Sequence, residues 1–300
     1  MIASGGSHTA IVDGIGRLWV CGNNLVNKLG IPDVTTTDIT HFRMVKVLEG
    51  KNVLATDCGQ FHTMALLDDG SVWSWGGTLH GKLGSPNPAP SILPSLSKHQ
   101  IKQIGCGEFY SAALTIYGGL FTWGGGGKHK NRGALGHGHL EDIEAPELVT
   151  FFNKNPIREF SCGAAHMMAI CENGELYSWG DNNYGQLGTG DETDSAFPLN
   201  VTVQVNEKFE PHMDDYEFFR QDLQVEKVDC GNRHSIFLTD NGWVFTCGNN
   251  SYGQTGQKKN KNLDVPTLVY SLHKKSVIRV AAGWNHSVVL TDTHDVYTTG

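Results

Sequence analysis

The chain has 300 residues, 23 Lys and Arg against 31 Asp and Glu, and a formal net charge of −8, which argues against a broad nucleic-acid footprint and, with no basic tail, against nucleosome binding. No run of 18 apolar residues occurs and the first residues, MIASGGSHTAIVDG, lack a basic n-region and an apolar h-region, so neither a membrane span nor a signal peptide is expected. Seven cysteines without a CxxC pair argue against a disulfide framework or zinc ribbon and point to a reduced intracellular compartment, cytoplasmic or nuclear.

Along the chain one pattern keeps returning. Ser4-Gly5-Gly6-Ser7-His8 comes first, and Cys58-Gly59-Gln60-Phe61-His62 repeats it. Cys106-Gly107-Glu108-Phe109-Tyr110 has tyrosine in the histidine place. Three more copies end at His166, His234 and His286. Each of these six residues precedes a second anchor by 13 positions, the pairs that begin at Cys21, Trp75, Trp123, Trp179, Cys247 and Thr299, each followed by glycine. A third anchor glycine follows eight residues after the paired glycine, at Gly30, Gly84, Gly188 and Gly256, while Gly136 lies twelve after Gly124.

The 13-residue unit has a simple physical reading. In CGQFHTMALLDDGSVWSWG (58–76), HTMALL and SVWSWG are strand runs, and Asp69-Gly70 between them is a hairpin turn because glycine accepts positive φ. Gly16, Gly118, Gly174 and Gly242 stand at the same point, and only Thr293-His294 departs. Six β-hairpins are therefore predicted. APELV (145–149) and VPTLV (265–269) read as outer strands, while VEKVDCG (225–231) and VIRVAAG (277–283) read as strands entering the next hairpin. About four strands per ~50-residue period is the pattern of a propeller blade. The expected fold is an all-β propeller over residues 1–300, built as a single domain because blades bury their faces only against neighbours.

LYSWGDNNYGQLGTGDE (176–192), CGNNSYGQTG (247–256) and AAGWNHSVVLTD (281–292) resemble the repeat of the regulator of chromosome condensation family, and the resemblance covers essentially the whole chain. It implies a β-propeller, usually of seven blades. Six hairpins are present here, so the ring is six-bladed or incomplete within this chain.

Against that repeat, the chemical candidates lose force. The Cys-x-x-x-His pairs recur on separate blades and need not converge on a metal, which asks for four ligands together. His8, His62, Tyr110, His166, His234, His286, Trp75, Trp123 and Trp179 are read as structural repeat positions, and Trp73 and Trp243 as blade packing. Gly124–Gly127 before Lys128 lacks the [ST] and the helix of a phosphate loop. His41, His80, His99, His137 and His139 read as surface polar residues. No cofactor, metal or catalytic constellation is expected.

The functional expectation moves to what does not repeat. An enlarged turn carries Lys128, His129, Lys130 and Arg132, suited to an acidic partner surface. The span from Gly188 to Cys230 is 42 residues, against 22 to 28 for the other four. Residues 191–228 hold ten acidic and three basic side chains, and Asp214, Asp215, Tyr216, Phe218 and Phe219 mark this acidic insertion as a docking element. The expected function is a non-catalytic interaction propeller, a scaffold or regulatory domain that binds protein partners through its loops. The resemblance implies two alternatives: guanine-nucleotide exchange on a Ran-like small GTPase, and a regulatory domain of a larger kinase or ubiquitin ligase. It also includes a plant ultraviolet-B photoreceptor role, which needs clustered tryptophans. Only Trp284 fills that repeat position, where the other copies have Gly6, Gln60, Glu108, Ala164 and Asn232, so that role is rejected.

Overall fold

A computed structural model describes residues 1–32, 37–127, 132–203 and 223–300. They form two compact units, residues 1–157 and 158–300. The first unit has three four-stranded antiparallel sheets, or blades, in which consecutive strands pair: β1 (Ile2–Ser4) to β4 (Asp38–Met44), β5 (Val53–Cys58) to β8 (Ser91–Ile92), and β9 (Ile101–Cys106) to β12 (Ile143–Leu148). The second unit has β13 (Ile157–Cys162) to β16 (Ser195–Val201), β17 (Val225–Cys230) to β20 (Leu263–Leu268), and a three-stranded last blade, β21 (Val277–Ala282) to β23 (Val296–Thr299). All-β propeller blades are thus six in number among the described residues, the last of them three-stranded rather than four. The other regular elements among the described residues are short 3₁₀ segments, and no described helix is long and apolar enough to cross a membrane.

The second strand of most blades is buried along its whole length, as in β6 (His62–Leu67), β10 (Tyr110–Thr115), β14 (His166–Cys171) and β18 (His234–Thr239). These strands carry near-continuous apolar runs because a neighbour covers each face. Outer strands such as β12 alternate and are half exposed. In the first unit one core joins blades 1 and 2 through Val20, Leu29, Val53, Ala65 and Trp75. In the second, Met168, Val228, Phe237 and Phe245 join blades 4 and 5.

The 13-residue unit is a hairpin. His62 pairs with Gly76 and Leu66 with Val72, across a turn where Gly70 has φ of 81°. In the sixth hairpin His294 takes the glycine place with φ of 65°, and the turn closes through its N–H to the Thr291 carbonyl at 3.0 Å. Histidine tolerates this left-handed conformation better than a β-branched residue.

The paired glycines have a different cause. Gly76 adopts φ of 119° so that the next residue, Gly77, donates its N–H to the Phe61 carbonyl at 2.8 Å. A side chain at Gly76 would also meet that carbonyl and the backbone of His62.

Candidate interaction surface

The repeat histidines are consumed by an internal chain of hydrogen bonds. His8, His62, His166 and His234 place Nε2 2.8, 2.8, 2.9 and 2.9 Å from the hydroxyls of Thr63, Ser111, Ser235 and Ser287 on the following blade. Those hydroxyls donate in turn to the carbonyls of Lys28, Lys82, Gln186 and Gln254 at 2.7, 2.7, 2.9 and 2.8 Å. A hydroxyl has one proton, and it goes to the carbonyl, so the ring nitrogen donates and the imidazole is the neutral Nε2–H tautomer. Burial pushes the His8 and His166 pKa down to about 3 and the His234 pKa to about 4. These rings stay neutral at physiological pH, and none is available as an acid, base or ligand.

The chain of bonds also explains the first anchor glycine. A methyl at Gly59 would collide with the His62 ring and with the Gly107 carbonyl oxygen of the next blade. Tyr110, fully buried, lies against Gly107 in the same way. His286 departs: it precedes β22 (Ser287–Thr291) and is exposed. Trp75 and Trp123 are fully buried in strands, as is Trp179, and Trp75 donates its indole N–H to the Lys28 carbonyl at 3.0 Å. Trp243 lies just before β19 (Val244–Gly248) and is buried rather than being a strand residue. Among the described residues no three His, Cys, Asp or Glu side chains cluster as metal ligands, and none of the seven cysteines is in a disulfide.

The unrepeated candidates fare unevenly. Lys128, His129 and Lys130 lie outside the described residues, as do Asp214, Asp215, Tyr216, Phe218 and Phe219. Arg132 is described, exposed, with φ of 38°. The acidic insertion is narrower than 191–228, because part of that span is blade. Residues 195–201 are the outer strand β16, paired with β15 (Leu176–Gly180), and Val203 and Leu223 pack in the core. Asp191 and Asp194 accept bonds from the Asn182 side chain and backbone N–H, so they brace a turn. His137 is no free surface group either: its side chain is 7% exposed and its Nε2 lies 2.9 Å from Thr122 Oγ1.

Sequence reading passed over the third-anchor turns, where the units diverge. In blades 4 and 5 the residue two before the anchor glycine is Gln186 or Gln254. Each closes its own turn. Tyr184 N–H donates to Gln186 Oε1 at 2.9 Å, while Gln186 Nε2 donates to the Asp181 carboxylate at 2.7 Å. Tyr252, Gln254 and Asn249 repeat the pattern at 3.0 and 2.8 Å. In blades 1 and 2 the same place holds Lys28 and Lys82, each about as buried, at 2% and 1% exposure. Lysine has no acceptor for the turn N–H. Correspondingly Val26 and His80 adopt φ of 58° and 63°, where Tyr184 and Tyr252 keep negative φ.

Each ammonium has found a local partner. Lys28 donates to Ser7 Oγ at 2.6 Å, and Lys82 donates to the Leu79 carbonyl at 2.9 Å. The Lys82 Nζ also lies 5.9 and 5.5 Å from the ring centres of Phe61 and Phe109, a cation–π arrangement. Burial lowers the Lys82 pKa to about 8 and lowers that of Lys28 as well, the latter opposed by the Asp38 carboxylate. His80 fixes the turn tip, with Nδ1 2.9 Å from Asp142, whose other oxygen accepts from the Gly126 N–H at 2.9 Å. An open cleft of about 590 Å³ adjoins, with Ser7, Lys28, Asp38, Gln60 and Phe61 in its wall.

This geometry can be set beside known proteins. The RCC1-like domain family model matches residues 1–300. The chain is similar to the ultraviolet-B receptor UVR8 of Arabidopsis thaliana, 31% identical over 99% of this chain and 64% of that protein. It is similar to the human E3 ubiquitin-protein ligase HERC2, 35% identical over 99% of this chain and 6% of that protein. It thus spans less than two thirds of either relative. Among solved structures, human WBSCR16 superposes with a TM-score of 0.80 at 24% identity, over 97% of this chain and 71% of that one. Yeast RCC1 (Prp20), solved with Kap60, superposes with a TM-score of 0.80 at 22% identity, over 99% of this chain and 68% of that one. Repeat anchors, blade topology and a match over the full length agree, and the chain belongs to the RCC1-like domain family.

Proposed function

We propose that this propeller is a non-catalytic interaction domain that binds protein partners through the turns at the ends of its blades. One observation carries the reading: the histidines that recur from blade to blade are buried and hydrogen-bonded through Nε2 to the next blade, while the groups that differ lie on turns. The histidines, the obvious catalytic candidates, are neutral and buried in hydroxyl–carbonyl chains. The turn residues instead present Leu25, Leu79 and Tyr252 to solvent, at 55, 68 and 66% exposure. Lys28 and the cleft lie beside Leu25, and the buried Lys82 donates to the Leu79 carbonyl.

A regulatory role inside a longer polypeptide is supported by the match to HERC2, of which the matched region is 6%. For nucleotide exchange on a Ran-like GTPase the support is thinner, because likeness to the yeast structure at 22% identity is likeness of fold.

Cross-linking of the purified chain in cell extract, followed by peptide mapping, tests the reading. Partner cross-links should concentrate at the blade turns. A nucleotide-release assay over a panel of small GTPases should show no acceleration above buffer. Accelerated release from any member would replace the scaffold reading with exchange.

A further inference from the structure

The repeat provides an internal reference for each turn, and blade 2 departs from it twice in the same place. In blade 4 the residue after the paired glycine is Asp181, whose carboxylate accepts the Gln186 side chain at 2.7 Å. In blade 5 it is Asn249, which accepts from Gln254 at 2.8 Å. In blade 2 the donor has become the Lys82 ammonium and the acceptor has become Gly77, with no side chain. The place that holds a carboxylate in blade 4 has none in blade 2, although the donor facing it now carries a full charge.

The space is open. A methyl at Gly77 would rest at ordinary contact distance from Val26 Cγ2 at 3.4 Å, from Lys82 Nζ at 3.5 Å and from Phe61 Cβ at 3.5 Å. Gly77 is thus the floor of a spot walled by an apolar side chain, an aromatic ring and an ammonium. Lys82 uses one of its three N–H donors, on the Leu79 carbonyl. Among the described residues neither Lys82 nor Lys28 forms an ion pair with a carboxylate. A buried charge is ordinarily paired. Phe61 links this spot to the cleft that Lys28 lines, and Val26 and Leu79 stand exposed at its rim, at 44 and 68%.

We propose that the turn end of blades 1 and 2 is a docking site for an acidic peptide segment of a protein partner, with one carboxylate seated on Lys82 at the place Asp181 occupies in blade 4. A neighbouring apolar side chain of the peptide packs on Val26, Phe61 and Leu79. A second acidic residue reaches the Lys28 cleft. Charge complementarity selects the occupant: the Lys82 ammonium has no ion-paired carboxylate, the Lys28 ammonium has only Asp38 near it, and both within an apolar frame fit carboxylates next to apolar side chains. The inference rests on the interaction reading above and gives it an address.

Selection of a phage-displayed library of random 12-residue peptides on the intact chain tests it. Enriched peptides should carry at least two Asp or Glu residues flanking an apolar one. Two variants keep the fold by copying blade 4: Lys82→Gln restores the turn acceptor, and Gly77→Asp supplies the carboxylate from within. Each should weaken the selected peptides at least tenfold in fluorescence anisotropy, while Lys258→Gln, at an exposed lysine of the unit 158–300, should leave them unchanged. Circular dichroism and thermal midpoints at or above the parent would establish that both variants fold. Peptides that bind both variants as tightly as the parent would overturn the docking site while leaving the interaction reading intact. Enrichment of non-acidic sequences would overturn the acidic partner. No enrichment at all would overturn both.

Discussion

The two units are built from the same blade but spend the third-anchor turn differently. In residues 158–300 the turn is self-sufficient: Gln186 and Gln254 accept from the backbone two residues earlier and donate to Asp181 and Asn249. In residues 1–157 blades 1 and 2 have Lys28 and Lys82 at the same position and blade 3 has Ala134, the glutamine cap is missing, and Val26 and His80 sit in the left-handed region. A buried amide that satisfies itself is architecture. A buried ammonium with spare donors costs stability and gives a partner something to recognise. The comparison teaches that in a repeat protein a functional surface is found where one copy stops paying for its own turn.

The largest expected effect concerns what the units share. Gly59→Ala and its second-unit counterpart Gly231→Ala should each destabilise by about 3 kcal/mol or more, since the methyl drives into a histidine ring and the next blade's carbonyl. Chemical denaturation followed by intrinsic fluorescence reads this. Equal losses would keep the shared core as the common term, and a loss confined to one unit would break it.

Acid stability comes next. The buried histidines have folded pKa values near 3 to 4, below an unfolded value of 6.5, so the unfolded chain binds protons first. Stability is full above pH ~6.5 and is lost as pH falls through that window towards the folded values. The denaturation midpoint measured from pH 7 to 4 should fall steadily. His234→Gln should flatten the slope, and an unchanged slope would contradict the neutral Nε2–H assignment.

Exchanging the turn residues sharpens the contrast directly. Gln186→Lys should destabilise by about 1–2 kcal/mol through loss of the turn acceptor, and Lys82→Gln should stabilise by about 1 kcal/mol. Thermal unfolding of both variants gives the signs. Lys82 adds an alkaline signature. Its pKa is about 8 when folded and near 10.5 when unfolded, so stability rises from pH 8 to 10.5 and is lost as pH falls through that window. The difference between the parent and Lys82→Gln isolates that gain.

The smallest effect belongs to surface pairing. Lys227 lies 2.6 Å from Glu159 across blades 4 and 5, with half of the lysine exposed. Lys227→Ala should cost less than about 1 kcal/mol, and the loss should shrink in high salt. A larger, salt-insensitive loss would mean that this pair clamps the blades.

Much of this was legible in the linear sequence because it recurs. The 13-residue spacing between His62 and Trp75 is a hairpin with a fixed register, and six copies of it specify propeller blades. The turn glycines follow from local backbone geometry, which neighbouring residues alone decide. Reading the repeat also warned against treating Cys58 and His62 as a site. The same repetition hides Lys82, which stands in a glycine-rich turn two residues before the anchor Gly84. The signal was there, since the equivalent positions run Lys28, Lys82, Ala134, Gln186 and Gln254. Its meaning needed Gly77 as well, and nothing in the spacing says that residues 77 and 82 face one another.

The sequence by itself determined the blade, its hairpin, its anchors and the family. Tertiary structure decided where polar groups go. It showed that four of the repeat histidines donate to a hydroxyl on the following blade, that residues 195–201 of the acidic stretch are strand, and that Lys82 is buried beside two aromatic rings without an ion-paired carboxylate. The reason is physical: backbone geometry repeats with the local pattern, whereas the pairing of a buried charge depends on residues brought together only when blades pack.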